Sequence, residues 1–388
     1  MITDTSCRLT SLFEYEIMKH MRENEKRSAE AVEVQKIKSD TENTRMVHLD
    51  LLRILACFSV VMLHCAAQFW YTLPVTSMDW KIANSYDAVF RFGVPVFVMI
   101  SGALFLPAKK EINVKRLYTH NILRLIIIYL VWSCIYGLFD CRFYSWSILD
   151  KGDIIREIFA GRYHLWYLPM IVGIYMLLPV LRSWVASAEK RNLQYFLLLF
   201  VIFQVGKETM LVLRQTDGMR YFWGLVSLDM VCGYLGYFVL GYYIVQFGIE
   251  VRWHKWIYLG GILSVGANIV LSDYLAGQAG APVGEIYDSF SFFTFLIVVS
   301  LFLFFTGCMS KINYSLRVSA IIKELSLATL GIYLLHIGLI EFLEPFGIHS
   351  MMFAPVVCIP LFAIFCFGVC FVLAAILRRI PLIGKYIC

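Results

Sequence analysis

Long apolar runs separated by short polar segments dominate the chain. A helix needs about 20 apolar residues to cross ~30 Å of hydrocarbon. Runs of that length predict spans near 49–70, 88–107, 122–141, 164–182, 192–210, 229–248, 256–274, 289–308, 326–344 and 353–377. The fifth is the least clean, because Lys207 and Glu208 interrupt its end. No internal repeat accompanies the pattern. The expected fold is all-α, a polytopic membrane protein of about ten transmembrane helices.

Residues 1–45 break the pattern. The stretch EYEIMKHMRENEKRSAEAVEVQKIKSD is highly charged with signs interspersed, and it has neither the apolar core nor the small-residue cleavage site of a signal peptide. It reads as a solvated, partly helical cytoplasmic segment ahead of a membrane domain over 46–388. Lys and Arg in the short loops set the orientation: fifteen lie on the side of Lys109, Arg182, Arg252, Lys311 and Arg378, and eight on the other. That bias places both termini in the cytoplasm of a multi-pass cell-membrane protein, with the bilayer as its first partner.

Composition supports this class. The chain is 60% hydrophobic and only 16% charged, with a mean hydropathy of +0.70, whereas soluble domains carry about 25% charged residues. Its net charge of +6 is scattered between apolar segments, which excludes a nucleic-acid surface. Eight of the eleven cysteines fall in apolar runs and none forms a CxxC pair, so they read as small buried residues.

Ionisable groups inside spans are the candidate chemistry, because hydrocarbon penalises each by roughly 2.5–3.5 kcal/mol or more. In LLRILACFSVVMLHCAAQFW, Arg53 and His64 are eleven positions apart. At 100° per residue they share one helix face, about 16 Å apart along the axis, on a stripe that includes Cys57 and Val60. Such a stripe favours a polar, protein-lined cavity over Arg53 snorkelling to headgroups and His64 bonding to a neighbouring helix. Arg91 stands at the outer end of the second span, with Ser101 and Gly102 deeper in it, and His336 lies midway in the ninth. His120, His164 and His254 fall at predicted ends or loops and receive no role. No i, i+4 histidine pair and no accompanying intramembrane carboxylate supports a metal site, and no P-loop, GxSxG or dinucleotide turn occurs.

Four of these stretches together carry a resemblance. MVHLDLLRILACFSVVMLH resembles the arginine-ten-residues-histidine signature of the acyltransferase-3 family of integral-membrane acyltransferases. FRFGVPVFVMISGALFL, HLWYLPMIVGIYMLLPVL and LGIYLLH resemble its later helices in the right order, over roughly residues 46–377. The resemblance implies transfer of an acyl group, usually acetyl from cytoplasmic acetyl-CoA, to a carbohydrate hydroxyl of a lipid-linked or cell-surface glycan. It assigns His64, Arg91 and His336 to the catalytic centre and Arg53 and Arg124 to the donor. The third helix departs from the pattern, since Asn121 stands where the first of two arginines is common. No hydrolase-like domain follows the last span, which is expected of the stand-alone subtype.

On this reading His64 is the general base of a direct transfer, or forms an acetyl-histidine intermediate. Arg53 binds CoA phosphates or orients Asp50, and Arg91 holds the acceptor or polarises the thioester carbonyl. The stripe is expected to be one continuous corridor, donor below and acceptor above. An exporter of polysaccharide or its precursor is the second reading. The chain lacks the paired Gly/Pro-broken segments that such a transporter would favour.

Overall fold

Lipid outside and protein inside reverse the usual helix pattern, and the sequence of each helix shows which side it faces. A computed structural model of the chain describes residues 46–107, 112–143, 161–213, 216–225, 229–381 and 384. Residues 1–45, expected to form the charged segment, lie outside them. The helices are α1 (Val47–Ala67), α2 (Met78–Phe90), α3 (Gly93–Phe105), α4 (Val114–Phe139) and α5 (Tyr163–Ser187). They continue with α6 (Lys190–Leu213), α7 (Asp217–Leu225), α8 (Asp229–Phe247) and α9 (Val251–Ala279). The last three are α10 (Phe292–Gly307), α11 (Leu316–Leu343) and α12 (Pro355–Leu377). No strand occurs among the described residues.

Nine helices among the described residues are long and apolar enough to cross a membrane, with α2 and α3 together forming one of them. The expected sixth span, 229–248, is α8, which is not among the nine. Gly233 (φ 14°, ψ −140°) interrupts it, leaving 234–247 as its regular part. The second span begins at Met78 rather than near 88. Ser77 caps α2 by accepting from the Trp80 N–H at 3.1 Å. α2 stops at Arg91 because Pro95 offers no N–H to the Arg91 carbonyl and its ring crowds that carbonyl.

α1 is the central helix: 61% of its apolar stretch is buried, against 28% for α4, α6 and α9. Its Cys57, Val61, Met62 and Cys65 pack with Ala328 and Ile332 of α11 and with Ile359, Phe362 and Cys366 of α12. Val60 joins Ile128 and Trp132 of α4, Leu165 and Leu168 of α5, and Tyr333 and Ile337 of α11. Small residues allow the closest approaches. A Cβ at Gly93 would overlap Ser59, one at Gly102 the Phe238 carbonyl, and one at Gly241 the Met99 carbonyl.

α9 shows the reversal most plainly. Its buried residues are Gly261, Ser264, Asn268, Ser272 and Ala276, at helical spacing, while Ile262, Leu263 and Val270 are exposed. The polar stripe finds partners inside: Asn268 Nδ2 donates to Thr294 Oγ1 (3.3 Å) and Asn84 Nδ2 to Ser272 Oγ (2.7 Å). The apolar face is left for acyl chains, as a bilayer requires.

Candidate active site

Two adjoining features occupy the middle of the bundle. The first is a cavity of about 440 Å³ between α1, α3, α4, α5, α11 and α12. Three cations line it: Arg53, Arg124 and Arg378. Arg124 follows a π-helical turn, Leu117–Ile122, which shifts the register of α4 just before it. Arg53 is held from below. Its Nη1 lies 3.5 Å from Asp50 Oδ1 and 3.3 Å from Ser326 Oγ, and Ser326 in turn donates to Asp50 at 2.6 Å. Asp50 is buried at the first turn of α1, where the helix N-terminus favours a carboxylate. Apolar and aromatic walls complete the cavity, among them Val60, Phe97, Leu168, Tyr167 and Tyr333.

The helix register dates each wall. From Arg53 to Val60 on α1, and from Ser326 to Tyr333 on α11, is seven residues, or about 10 Å of axis. α5 runs the other way, from Tyr175 back to Leu168. One turn beyond Val60, Tyr333 and Leu168 stand His64, His336 and His164. Their rings form the second feature. The His336 centroid lies 5.1 Å from that of His64 and 5.3 Å from that of His164. Tyr163 sits edge-on to His64 at 5.7 Å, and Tyr136 edge-on to His164 at 5.0 Å.

The tautomer of His336 follows from geometry. Its Nδ1 is 2.6 Å from the Tyr333 carbonyl, which only accepts, so Nδ1 carries the proton and Nε2 carries the lone pair. That Nε2 has no hydrogen-bond partner, nor has either ring nitrogen of His164, although His336 is 0% and His164 2% exposed. Buried polar atoms are paired in the great majority of cases, so three unpaired imidazole nitrogens in one cluster mark a place where a substrate is expected to bond. His64 is half-buried, and among the described residues it makes no side-chain hydrogen bond. Among the described residues no group of three or more His, Cys, Asp or Glu side chains is placed to hold a metal ion.

The arrangement departs from the expected one in three respects. None of the three histidines lines the cavity, and Tyr333, on its wall, donates its hydroxyl to the His164 carbonyl. Cys57, on the expected stripe, instead turns to the core and donates to the Thr329 carbonyl at 3.5 Å. His164, expected at a span end and without a role, is buried against His336, because the 3-10 turn that opens α5, Tyr163–Trp166, directs His164 and Leu165 inward.

Arg91 is committed elsewhere. Its Nε and Nη2 form a fork onto Asp87 at 2.8 and 2.6 Å, and its guanidinium lies over the Tyr287 ring at 5.2 Å. Asp87 is 0% exposed, and Tyr287 Oη lies 2.9 Å from Asn84 and 3.3 Å from Asp87. Trp70 donates to the same Asn84 at 3.2 Å. Arg91 therefore anchors the α2–α3 break in a network reaching α9, and it does not line the cavity. Removing Asp87 strands a cation, so Asp87→Ala is expected to lower unfolding stability by about 2–3 kcal/mol, a buried-pair loss reduced for the one-third exposure of Arg91. Thermal unfolding in detergent measures this, and Asp87→Ala with Arg91→Leu is expected to recover part of the loss.

The family model of the acyltransferase-3 family, described as an acyltransferase domain, matches residues 46–377, well over half of the chain. Neither the curated proteins nor the solved structures contain a match.

Proposed function

Because the chain belongs to the acyltransferase-3 family, we propose that this membrane acyltransferase moves an acetyl or similar short acyl group from cytoplasmic acyl-CoA to a carbohydrate hydroxyl. The observation that carries the reading is the register of the two features: an arginine-lined cavity, then three imidazoles one turn further along the same three helices. A thioester donor with a polyanionic tail fits that order. Arg53, Arg124 and Arg378 offer charge-assisted bonds to phosphates, and the apolar walls suit the uncharged arm that carries the acyl group.

In the reaction the acceptor oxygen bonds to the thioester carbonyl carbon, the C–S bond breaks, and the hydroxyl proton must leave the oxygen. His64 is the accessible base for that proton, and the His336 Nε2 lone pair beside it is a second acceptor. The proton finally returns to the departing thiolate. To bring carbonyl and hydroxyl together the acyl group must reach one turn beyond Val60, Tyr333 and Leu168, which line the cavity.

The test is direct. Membranes containing the protein, given labelled acetyl-CoA and alkali-deacylated surface polysaccharide from the expressing cells, are expected to form a base-labile ester. Arg53→Ala is expected to raise the apparent KM for acetyl-CoA roughly 10-fold to 100-fold, the worth of one charge-assisted bond. An unchanged donor KM would remove Arg53 from the donor site. Export of polysaccharide without ester formation would favour the transporter reading instead.

A further inference from the structure

The central helix α1 leaves one face uncovered. Leu51, Ile54, Leu55 and Phe58 recur at i, i+3, i+4 and i+7, all half-buried, and line a groove of about 370 Å³. Phe305 and Met309 of α10 and Phe367 of α12 form its sides. We propose that this groove binds one anionic phospholipid of the leaflet on the Lys/Arg-rich side, with an acyl tail against α1 and the phosphate at Lys311.

Lining and depth select a lipid tail. Every side chain in the groove is apolar, which suits an alkyl chain and offers a sugar or nucleotide no hydrogen bond. From Leu51 to Phe58 is seven residues, or about 10 Å of axis, beginning just past the first turn of α1. One leaflet supplies about 15 Å of hydrocarbon, half of the ~30 Å core, so the groove takes most of one lipid tail. A partner helix would cross the whole core, and a groove of this length would hold only about a third of it.

Charge at the mouth selects the headgroup. Lys311 ends the 3-10 turn Met309–Lys311, which starts on the groove wall, and it is exposed without an ion pair among the described residues. From residue 289 to 323 the chain carries three cations, Lys311, Arg317 and Lys323, and no carboxylate. A phosphate arriving there meets attraction with no acidic neighbour in that stretch. A headgroup that carries its own ammonium gains less, so net negative charge is preferred. At 100° per residue the groove face lies about half a turn from the α1 face that bears Arg53, Val60 and His64. The lipid therefore backs the central helix on the side away from the cavity.

The experiment uses the full chain, purified in detergent and stripped of lipid. Thermal unfolding is followed against phosphatidylglycerol, phosphatidylcholine, and glycerol phosphate without tails. Phosphatidylglycerol is expected to raise the midpoint at lower concentration than phosphatidylcholine, and glycerol phosphate to leave it unchanged. Lys311→Gln alters only an exposed side chain and is expected to weaken the apparent phosphatidylglycerol affinity about 5-fold, the worth of one basic residue at a membrane surface. Met309→Trp fills the groove from its edge and is expected to abolish the phosphatidylglycerol shift. Equal response of the wild type to both lipids, a shift with glycerol phosphate alone, or unaltered phosphatidylglycerol affinity in either variant would overturn the site. None of these readings requires acyl transfer, so the lipid site stands or falls apart from the function proposed above.

Discussion

His64→Ala is expected to lower ester formation by about 10²–10⁴-fold, the usual contribution of one positioned acid–base group, while the protein inserts and unfolds like the wild type. Stability is preserved because His64 has no side-chain hydrogen bond to the protein, so its removal strands no partner, and alanine is the better helix former. The remaining imidazoles set the internal comparison. His336 is wedged by its bond to the Tyr333 carbonyl and is fully buried, so His336→Ala leaves a cavity and is expected to cost stability as well as rate. Single-turnover transfer of labelled acetyl at saturating donor and acceptor separates the two cases. Near-normal transfer by His64→Ala with wild-type unfolding would sink its assignment as base and leave His336 or His164 in that role.

Much of this site was legible in the sequence, for a physical reason. Within hydrocarbon an ionisable side chain survives only with a use or a partner, so Arg53, His64 and His336 announced themselves against an apolar background. Helical arithmetic then placed Arg53 and His64 on one face. What it could not supply was contact between helices. Asp87 and Arg91 are four residues apart, and that spacing alone signals a helical ion pair. It was missed because the second span was expected to begin at 88, which excluded Asp87 from the helix. His164 was lost in the same way. A histidine beside a run of apolar residues reads as an end, and only the 3-10 turn that carries it inward places it against His336. The bond from Tyr333 to the His164 carbonyl is a tertiary contact with the start of α5, and no local pattern records it.

The inner faces of the helices were legible in principle as well. The Gly261, Ser264, Asn268, Ser272, Ala276 stripe of α9 has the period of a helix face and the chemistry of a protein interior within lipid. Hydropathy averaged over a whole span hides such a stripe, because the lipid-facing residues dominate the mean.

Gly102→Ala, the second large effect, is expected to destabilise the bundle more than any other single methyl among its helix contacts. α3 and α8 meet reciprocally and antiparallel: Gly102 lies on the Phe238 carbonyl, and Gly241 lies on the Met99 carbonyl, each within one turn of the other contact. In both cases the obstacle is backbone, which cannot rotate away as a side chain would, so the two helices must separate along their length. Overpacking costs typically about 1–3 kcal/mol even where side chains give way, so a backbone obstacle belongs at or above the top of that range. Separation also moves Phe97 and Ser101, on the same helix as Gly102, which line the cavity. Reduced donor affinity is therefore expected to accompany the lost stability. Gly173 on α5 provides the control, because a Cβ there meets nothing within 4 Å. Gly173→Ala is expected to be neutral or stabilising by up to about 1 kcal/mol through helix propensity alone. Thermal unfolding of the three proteins in one detergent decides the matter: equal shifts for Gly102→Ala and Gly173→Ala would mean that the α3–α8 contact does not set the spacing around the cavity.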